Sequence, residues 1–188
     1  MLGSRIEVLN HSIYQTQTGK PIHNIQYRIK KKDSLEKKLE LHGFEPTYEN
    51  AKDQLQDIAG IRIICYFAGD VNNLVNMLKK QPDLIFIQER NYIENPKPNG
   101  YRSYHMIVEI PVFFSKGKTP MRVELQIRTN GMDFWATLEH QLRYKKGIED
   151  LPGYDEISEE LLRSAQAVIE TDNEMQSIKN KIGMFHDI

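Results

Sequence analysis

The segment Met121–Arg128, MRVELQIR, alternates without a break: Val123, Leu125 and Ile127 fall on one side, Arg122, Glu124, Gln126 and Arg128 on the other. A strand sends successive side chains to opposite faces, so this segment can give one face to a core while the other carries a row of charge. A solvated outer face has the same pattern. Thr129-Asn130-Gly131 follows at once, and a helix begins after it. A carboxylate flanked by two arginines near a strand-to-helix junction is a natural place to hold a metal and a polyphosphate.

The rest of the chain supplies neighbours for that strand. Ile25–Lys31 reads as a short strand with Ile25, Tyr27 and Ile29 alternating, and Asp33 as the N-cap of a helix that reaches His42 and is closed by Gly43. Tyr48–Gln56 is helical. Ile58–Phe67 is a β-prone run interrupted by Gly60. Asp70 can cap a helix through Lys80, with Leu74, Met77 and Leu78 at helical spacing. Asp83–Ile93 is a third strand. Ser103–Phe114 is a long one, turned at Lys116-Gly117-Lys118 into the antiparallel partner Met121–Thr129. Gly131–Lys146 is a helix with Met132, Trp135, Leu138 and Leu142 as its apolar stripe. After Pro152-Gly153 comes a long charged helix, Glu156–Ile182, where Leu161, Val168, Met175 and Ile182 recur at a heptad period. That seam suits packing back on the domain as well as contact between copies. At the N-terminus Ile6, Leu9 and Ile13 hint at helical spacing ended by Thr18-Gly19-Lys20-Pro21, and the abrupt start is compatible with a longer N-terminal helix. The expected fold is α+β, a mixed sheet of about five strands surrounded by helices.

Composition narrows the function. With 188 residues, 39% hydrophobic and 27% charged, the chain reads as one globular domain, 1–188, with a core about 25–146 and a helical extension about 155–182. A net charge of −1 argues against a general nucleic-acid coat and leaves room for a local basic cleft, so RNA binding is possible but not indicated. The single cysteine, Cys65, lies in an apolar run and reads as a small buried hydrophobe; it permits neither a disulfide framework within one chain nor a Cys-rich metal site. The apolar runs are short of a membrane span and MLGSRIEV lacks a signal-peptide stretch, so a cytoplasmic, membrane-free setting is the default.

Three clusters carry chemistry. Arg28, Lys30, Lys31, Lys32, Lys37 and Lys38 could be a solvated basic face. Arg28 and Lys30 nevertheless share a strand face, and Ser34 and Lys38 lie four apart on the following helix, so these four could converge on one anion with help from the helix N-terminus. In Asp57-Ile58-Ala59-Gly60-Ile61-Arg62, a carboxylate just before a buried strand suits a hard cation beside phosphate oxygens; the plainer alternative has Asp57 capping the backbone and pairing with Arg62. In Lys97-Pro98-Asn99-Gly100-Tyr101-Arg102-Ser103-Tyr104-His105, Gly100 allows close approach of a ligand and Tyr101 offers a face for stacking, while Ser103 and His105 share a strand face and Tyr104 belongs to the core. There is no P-loop, GxGxxG, His-x-x-x-His pair or Gly-x-Ser-x-Gly elbow.

With the opening strand, these clusters resemble the (p)ppGpp synthetase domain of the RelA/SpoT superfamily, through YRIKKKDSLEKK, DIAGIRIICYF, NGYRSYH and VELQIRTNGMDFWATLEHQLRYK, in that order from about Ile25 to Lys146. The chain has no room for the hydrolase or regulatory domains of the long members, so it resembles a small alarmone synthetase, and GMDFWATLEH is closer to the RelP branch than to the RelQ branch. The resemblance implies a nucleotidyltransferase-like fold and Mg²⁺-dependent transfer of the ATP β,γ-pyrophosphate to the ribose 3′-oxygen of GDP or GTP, releasing AMP. It implies that Arg28 and Arg62 sandwich adenine and that Lys30, Ser34 and Lys38 hold the ATP phosphates. Asp57 and Glu124 carry Mg²⁺, with Glu124 also the base. Tyr101 stacks on guanine, Arg90, Lys97 and His105 take acceptor phosphates, and Asp133 reads the guanine edge. Gln126 and Arg128 orient Glu124 or contact the acceptor. It also implies a homo-oligomer, a tetramer built through terminal helices. Two rivals share parts of this chemistry: a nucleotidyltransferase that releases pyrophosphate, and a catalytically dead nucleotide or RNA sensor.

Overall fold

In the computed structural model, which describes residues 2–3, 6–8, 10–11, 20–114, 117–143 and 152–186, the alternating segment lies inside the longest strand of the sheet. The described strands are β1 (Ile22–Ile29), β2 (Ala59–Cys65), β3 (Ile85–Asn91), β4 (Tyr104–Phe114) and β5 (Gly117–Thr129). They form a five-stranded sheet in the order β1-β2-β5-β4-β3. β2 and β5 run parallel, and the other pairings are antiparallel, so the sheet is mixed. The described helices are α1 (Lys32–Leu41), α2 (Tyr48–Gln54), α3 (Ala68–Lys79), α4 (Asn130–Arg143) and α5 (Tyr154–His186).

The alternation in β5 separates two environments. Val123, Leu125 and Ile127 are buried with Ile61, Ile63, Met106 and Val108 from the neighbouring strands and Val71, Leu74, Val75 and Leu78 of α3. Burial of that face removes apolar area from water at roughly 25 cal/mol per Å² and fixes the register, because a slip by one residue would turn every charged side chain inward. The opposite face therefore carries polar side chains from all five strands, interrupted by the buried Ile107 on β4. One row reads Gln26, Arg62, Gln126, His105, Arg90 from β1 to β3, and the adjacent row reads Arg28, Gly60, Glu124, Ile107, Gln88.

Several boundaries differ from the sequence reading. α1 starts at Lys32 with Lys31 at its cap, so Asp33 sits in the first turn, where its charge favours the helix N-terminus without capping it. α3 begins at Ala68, and Asp70 acts from inside its first turn, its carboxylate accepting from the Phe67 N–H at 3.2 Å. Val71 and Val75 fill the α3 face, with Met77 only half-buried. α2 ends at Gln54, capped at its start by the Thr47 hydroxyl, which accepts from Asn50 N–H. Of the alternating set on β1, Ile25 packs on the core, whereas Tyr27 and Ile29 are exposed, since β1 is an edge strand with a neighbour on one side.

The stripe assigned to α4 is also corrected. Met132 and Trp135 are buried, but Leu138 and Leu142 are 48% and 53% exposed. The inward line instead follows Met132, Trp135, Ala136 and Glu139, close to the 3.6-residue repeat. In the hairpin, Phe114 pairs with Gly117 and Phe113 with Lys118, so Lys118 belongs to β5 and Lys116 lies outside the described residues. Leu2 and Ile6 are buried in the core, whereas Leu9, Ile13, Thr18 and Gly19 lie outside the described residues, as does 144–146 at the end of the expected helix. The heptad positions of α5 divide: Leu161 and Val168 pack on Trp135 and Ala136, and Met175 and Ile182 are about half exposed, at 48% and 52%.

Candidate active site

The polar face of the sheet carries two clefts that share a wall. One, of about 420 Å³, is lined by Lys38, Gln56, Gln88, Arg90 and His105 among others. The second, of about 340 Å³, is lined by Gln26, Arg28, Lys30, Gly60, Arg62 and Gln126. Asp57 and Glu124 line both. Gly60 lies directly between Arg28 and Glu124 in the sheet, and a Cβ there would meet nothing nearer than the Glu124 and Arg28 carbonyls at 3.8 and 3.9 Å. Its missing side chain therefore opens the floor of the second cleft rather than relieving a clash.

Asp57 enters this wall from the turn before β2. Lys30 Nζ donates to its Oδ2 at 2.7 Å and Lys38 Nζ to its Oδ1 at 2.8 Å. Lys30 is held there by its own N–H, which donates to Ile58 O at 2.9 Å. Burial pushes the Asp57 carboxyl up, but the two ammonium groups outweigh it and hold the carboxyl below its ordinary range. Asp57 thus neither caps the backbone nor pairs with Arg62, and two of the predicted anion-binding cations converge on it. Arg28 lines the second cleft. Ser34 is exposed on α1 and lines neither cleft.

Glu124 has both oxygens occupied. Its Oε1 lies 3.1 Å from His105 Nδ1 and its Oε2 accepts from Gln126 Nε2 at 3.1 Å. The His105 bond comes first in lowering its pKa; burial opposes it, and the carboxyl stays below its usual range. A directed chain reaches Glu124 from behind. Arg128 donates to the Tyr101 hydroxyl, which lies 2.9 Å from His105 Nε2. An ionised carboxylate only accepts, so His105 Nδ1 donates to Glu124.

Arg128 is buried and ties the second half of the site together. It donates to Ser103 Oγ (3.3 Å), Gln126 Oε1 (3.0 Å) and Asp133 Oδ1 (3.2 Å). Arg62 approaches the same Asp133 oxygen at 3.4 Å and donates to Gln26 Oε1 at 3.4 Å. The Arg62 Nε is buried with no hydrogen-bond partner among the described residues. Lys97 Nζ and Arg128 Cζ lie 4.9 and 5.0 Å from the centre of the Tyr101 ring. Arg90 stands exposed at the end of the first polar row, beside the Tyr92 hydroxyl. Of the two arginines that flank Glu124 in sequence, only Arg128 serves the site; Arg122 donates to Asp53 O at the end of α2.

Gln26, Gln56, Gln88 and Tyr92 were missed from the sequence. Gln26 and Gln88 each stand two residues before a predicted arginine on the same strand face, which was a readable signal; the Tyr92 ring meets His105 edge-on at 5.2 Å, a contact made by pairing across strands. Cys65 is buried, and burial pushes its thiol far up, in keeping with a small hydrophobe. Among the described residues no three His, Cys, Asp or Glu side chains gather as metal ligands. Two ionised carboxylates on one wall do fit a hard cation that takes its remaining ligands from water and phosphate. Among the described residues no helix is long and apolar enough to cross a membrane.

Comparisons with known proteins agree on one family. The model for the region found in RelA / SpoT proteins matches residues 27–149. The chain is 38% identical over 181 residues to the GTP pyrophosphokinase YwaC of Bacillus subtilis, covering 96% of this chain and 85% of that protein. Among solved structures, small alarmone synthetase 2 from Bacillus subtilis superposes with a TM-score of 0.84 at 36% identity, covering 96% of this chain and 92% of the other. Small alarmone synthetase 1 from the same organism, bound to its product pppGpp, gives a TM-score of 0.79 at 33% identity, with coverage of 96% and 88%.

Proposed function

The chain belongs to the RelA/SpoT family, and on that premise we propose that it is a GTP/GDP pyrophosphokinase that makes pppGpp and ppGpp, the alarmones of the stringent response. It moves the β,γ-pyrophosphate of ATP to the 3′-hydroxyl of GTP or GDP and releases AMP. The observation that carries this reading is the pair of clefts divided by Asp57 and Glu124. A two-substrate transfer needs donor and acceptor on either side of the reacting atoms, held in line and shielded in charge.

The residues divide the work as follows. In the second cleft Arg28 and Arg62 stack on adenine, and the unpartnered Nε of Arg62 is a free donor for that ligand. Lys30 from the second cleft and Lys38 from across the shared wall hold the ATP phosphates, and both release Asp57 as the polyphosphate takes its place as their anion. Tyr101 stacks on guanine, Asp133 reads its edge, and Arg90 and Lys97 take the acceptor phosphates, joined by His105 once its Nε2 leaves the Tyr101 hydroxyl. Glu124, kept ionised by His105 and Gln126, accepts the 3′-hydroxyl proton. Gln126 and Arg128 orient it. Asp57 and Glu124 would hold Mg²⁺, which supplies charge neutralisation on the transferred group. The whole of 1–188 works as one synthetase domain, with its core at about 25–146, as a cytoplasmic homotetramer joined through terminal helices.

The reading is tested by replacing the wall. Glu124→Ala and Asp57→Ala each remove most alarmone synthesis while circular dichroism remains native. Near-wild-type yield from either variant contradicts the assignment of the wall.

A further inference from the structure

The long helix α5 lies outside the segment matched by the family model, yet it reaches the frame of the acceptor site. We propose that Asp172 of α5 is a positioning residue for the guanine nucleotide, holding the start of α4, with Asp133 and Arg128, in register with the segment that carries Tyr101. The proposal rests on the pyrophosphokinase reading above.

Three observations meet at Asp172. First, the Thr129 hydroxyl accepts from Met132 N–H at 3.1 Å and donates to Asp172 Oδ2 at 2.5 Å. A hydroxyl has one proton, so this order is fixed: Thr129 caps α4 and Asp172 aims the cap. Thr129 is fully buried, with Arg128 before it and Asp133 one turn into the helix. Second, α5 touches each arm of the acceptor site at a glycine. A Cβ on Gly131 would fall 2.7 Å from Asp172 Oδ1 and 2.9 Å from Val168, and a Cβ on Gly100 would fall 2.6 Å from the Ala165 Cβ. Gly100 also has φ +88°, which favours glycine, and immediately precedes Tyr101. Third, Arg102 faces Asp172 electrostatically and donates twice to Ile93 O, at 3.2 and 3.0 Å. Those bonds close the 93–102 segment that carries Lys97 and Tyr101.

α5 is therefore the common back wall of two arms. One arm presents Tyr101 and Lys97, and the other presents Arg128 and Asp133; the Arg128–Tyr101 bond spans them. Gln176 and Lys179 anchor the far part of the same helix on α3, through Gly69 N–H and Asp70, each at 2.7 Å. Neither cleft is lined by α5; the helix reaches the site through the segments that carry Tyr101 and Asp133. Arg62 of the second cleft meets this frame only at Asp133, so loss of the Asp172 anchor acts more strongly on the guanine nucleotide than on ATP, whereas a general loss of packing would act on both alike.

The test measures calorimetric binding of GDP alone and of ATP alone, with KM for each, in the full chain. Asp172→Ala and Thr129→Val raise the Kd and KM for GDP by about tenfold, the scale of one hydrogen bond to a charged group, and leave those for ATP within about twofold. Asp172→Asn keeps an oxygen that accepts from Thr129 and restores GDP binding to within about threefold of wild type. Fluorescence of Trp135, the single tryptophan, which donates to Ser164 Oγ at 2.9 Å, reports whether α4 and α5 remain docked. If Asp172→Ala does not fold, the contrast between Thr129→Val and Thr129→Ser decides the same point. Equal losses for ATP and GDP, or unchanged GDP binding in all variants, overturn the positioning role. A wild-type chain that binds ATP and GDP but makes neither AMP nor a phosphorylated guanosine overturns the underlying reading, and the two failures are told apart by whether wild type or variant fails.

Discussion

Glu124 and Asp172 are both half-buried carboxylates tied to β5, and their surroundings drive them in opposite directions. Glu124 faces two clefts, and His105 and Gln126 serve its two oxygens, so it is held below the ordinary carboxylate range. Asp172 sits behind the strand's end; burial dominates over the Thr129 hydroxyl and pushes it up. The difference lies in the donors gathered around each group, since burial alone disfavours the charge of both. Asp57 sides with Glu124, because two lysines overcome its burial. Glu124 and Asp57 each meet two side-chain donors, whereas among the described residues Asp172 accepts from the Thr129 hydroxyl alone.

The largest effect that can break this contrast is on Glu124 itself. Glu124→Gln keeps the shape and removes the charge, and kcat falls by about a hundredfold or more with little change in unfolding temperature. A comparable loss of kcat from Asp172→Asn would erase the distinction. His105→Ala comes next: it takes away the Nδ1 donor, so kcat/KM falls by about tenfold and its acid limb moves to higher pH than in wild type, read from parallel pH profiles. An unmoved limb shows that His105 does not govern the Glu124 charge. Tyr101→Phe keeps the ring and removes the hydroxyl that links Arg128 to His105, which raises the acceptor KM about threefold to tenfold with ATP KM steady.

The smallest effect concerns pH and stability. A carboxyl whose folded pKa is raised contributes stability below its unfolded value of about 3.9, and that contribution is lost as pH rises through the folded value. Asn at position 172 mimics the protonated form and escapes that loss. In urea titrations Asp172→Asn is at least as stable as wild type at pH 7, and its margin shrinks as pH falls below the carboxylate range. A margin that grows on acidification contradicts the raised pKa.

Much of the site was legible because strand alternation is a local property. Arg28, Arg62, Glu124, Gln126, Arg128 and His105 share one face in the register that their sequence periods demand. What escaped depended on which helix face met which neighbour. Leu138 and Leu142 read as core until Ala165 of α5 selected Trp135 and Ala136 as the inner line of α4. Asp33 and Asp70 carry the local signature of N-caps, yet both lie inside the first turn, where an acidic residue is equally favoured. Asp172 looked like any charge on a long polar helix, because its burial comes from a partner more than forty positions earlier in the chain, at Thr129. Arg122 shows the opposite error: it has the right face and spacing, but the end of α2 claims it.

The central claim is that Asp57 and Glu124 divide a pyrophosphate donor from a guanine-nucleotide acceptor. It is tested most directly by separating the nucleotide products after incubation of the purified chain with ATP, Mg²⁺ and either GTP or GDP. The account predicts AMP in equimolar amount with pppGpp from GTP or ppGpp from GDP. Release of inorganic pyrophosphate without AMP and a pyrophosphorylated guanosine, or tight nucleotide binding with no turnover, would contradict it.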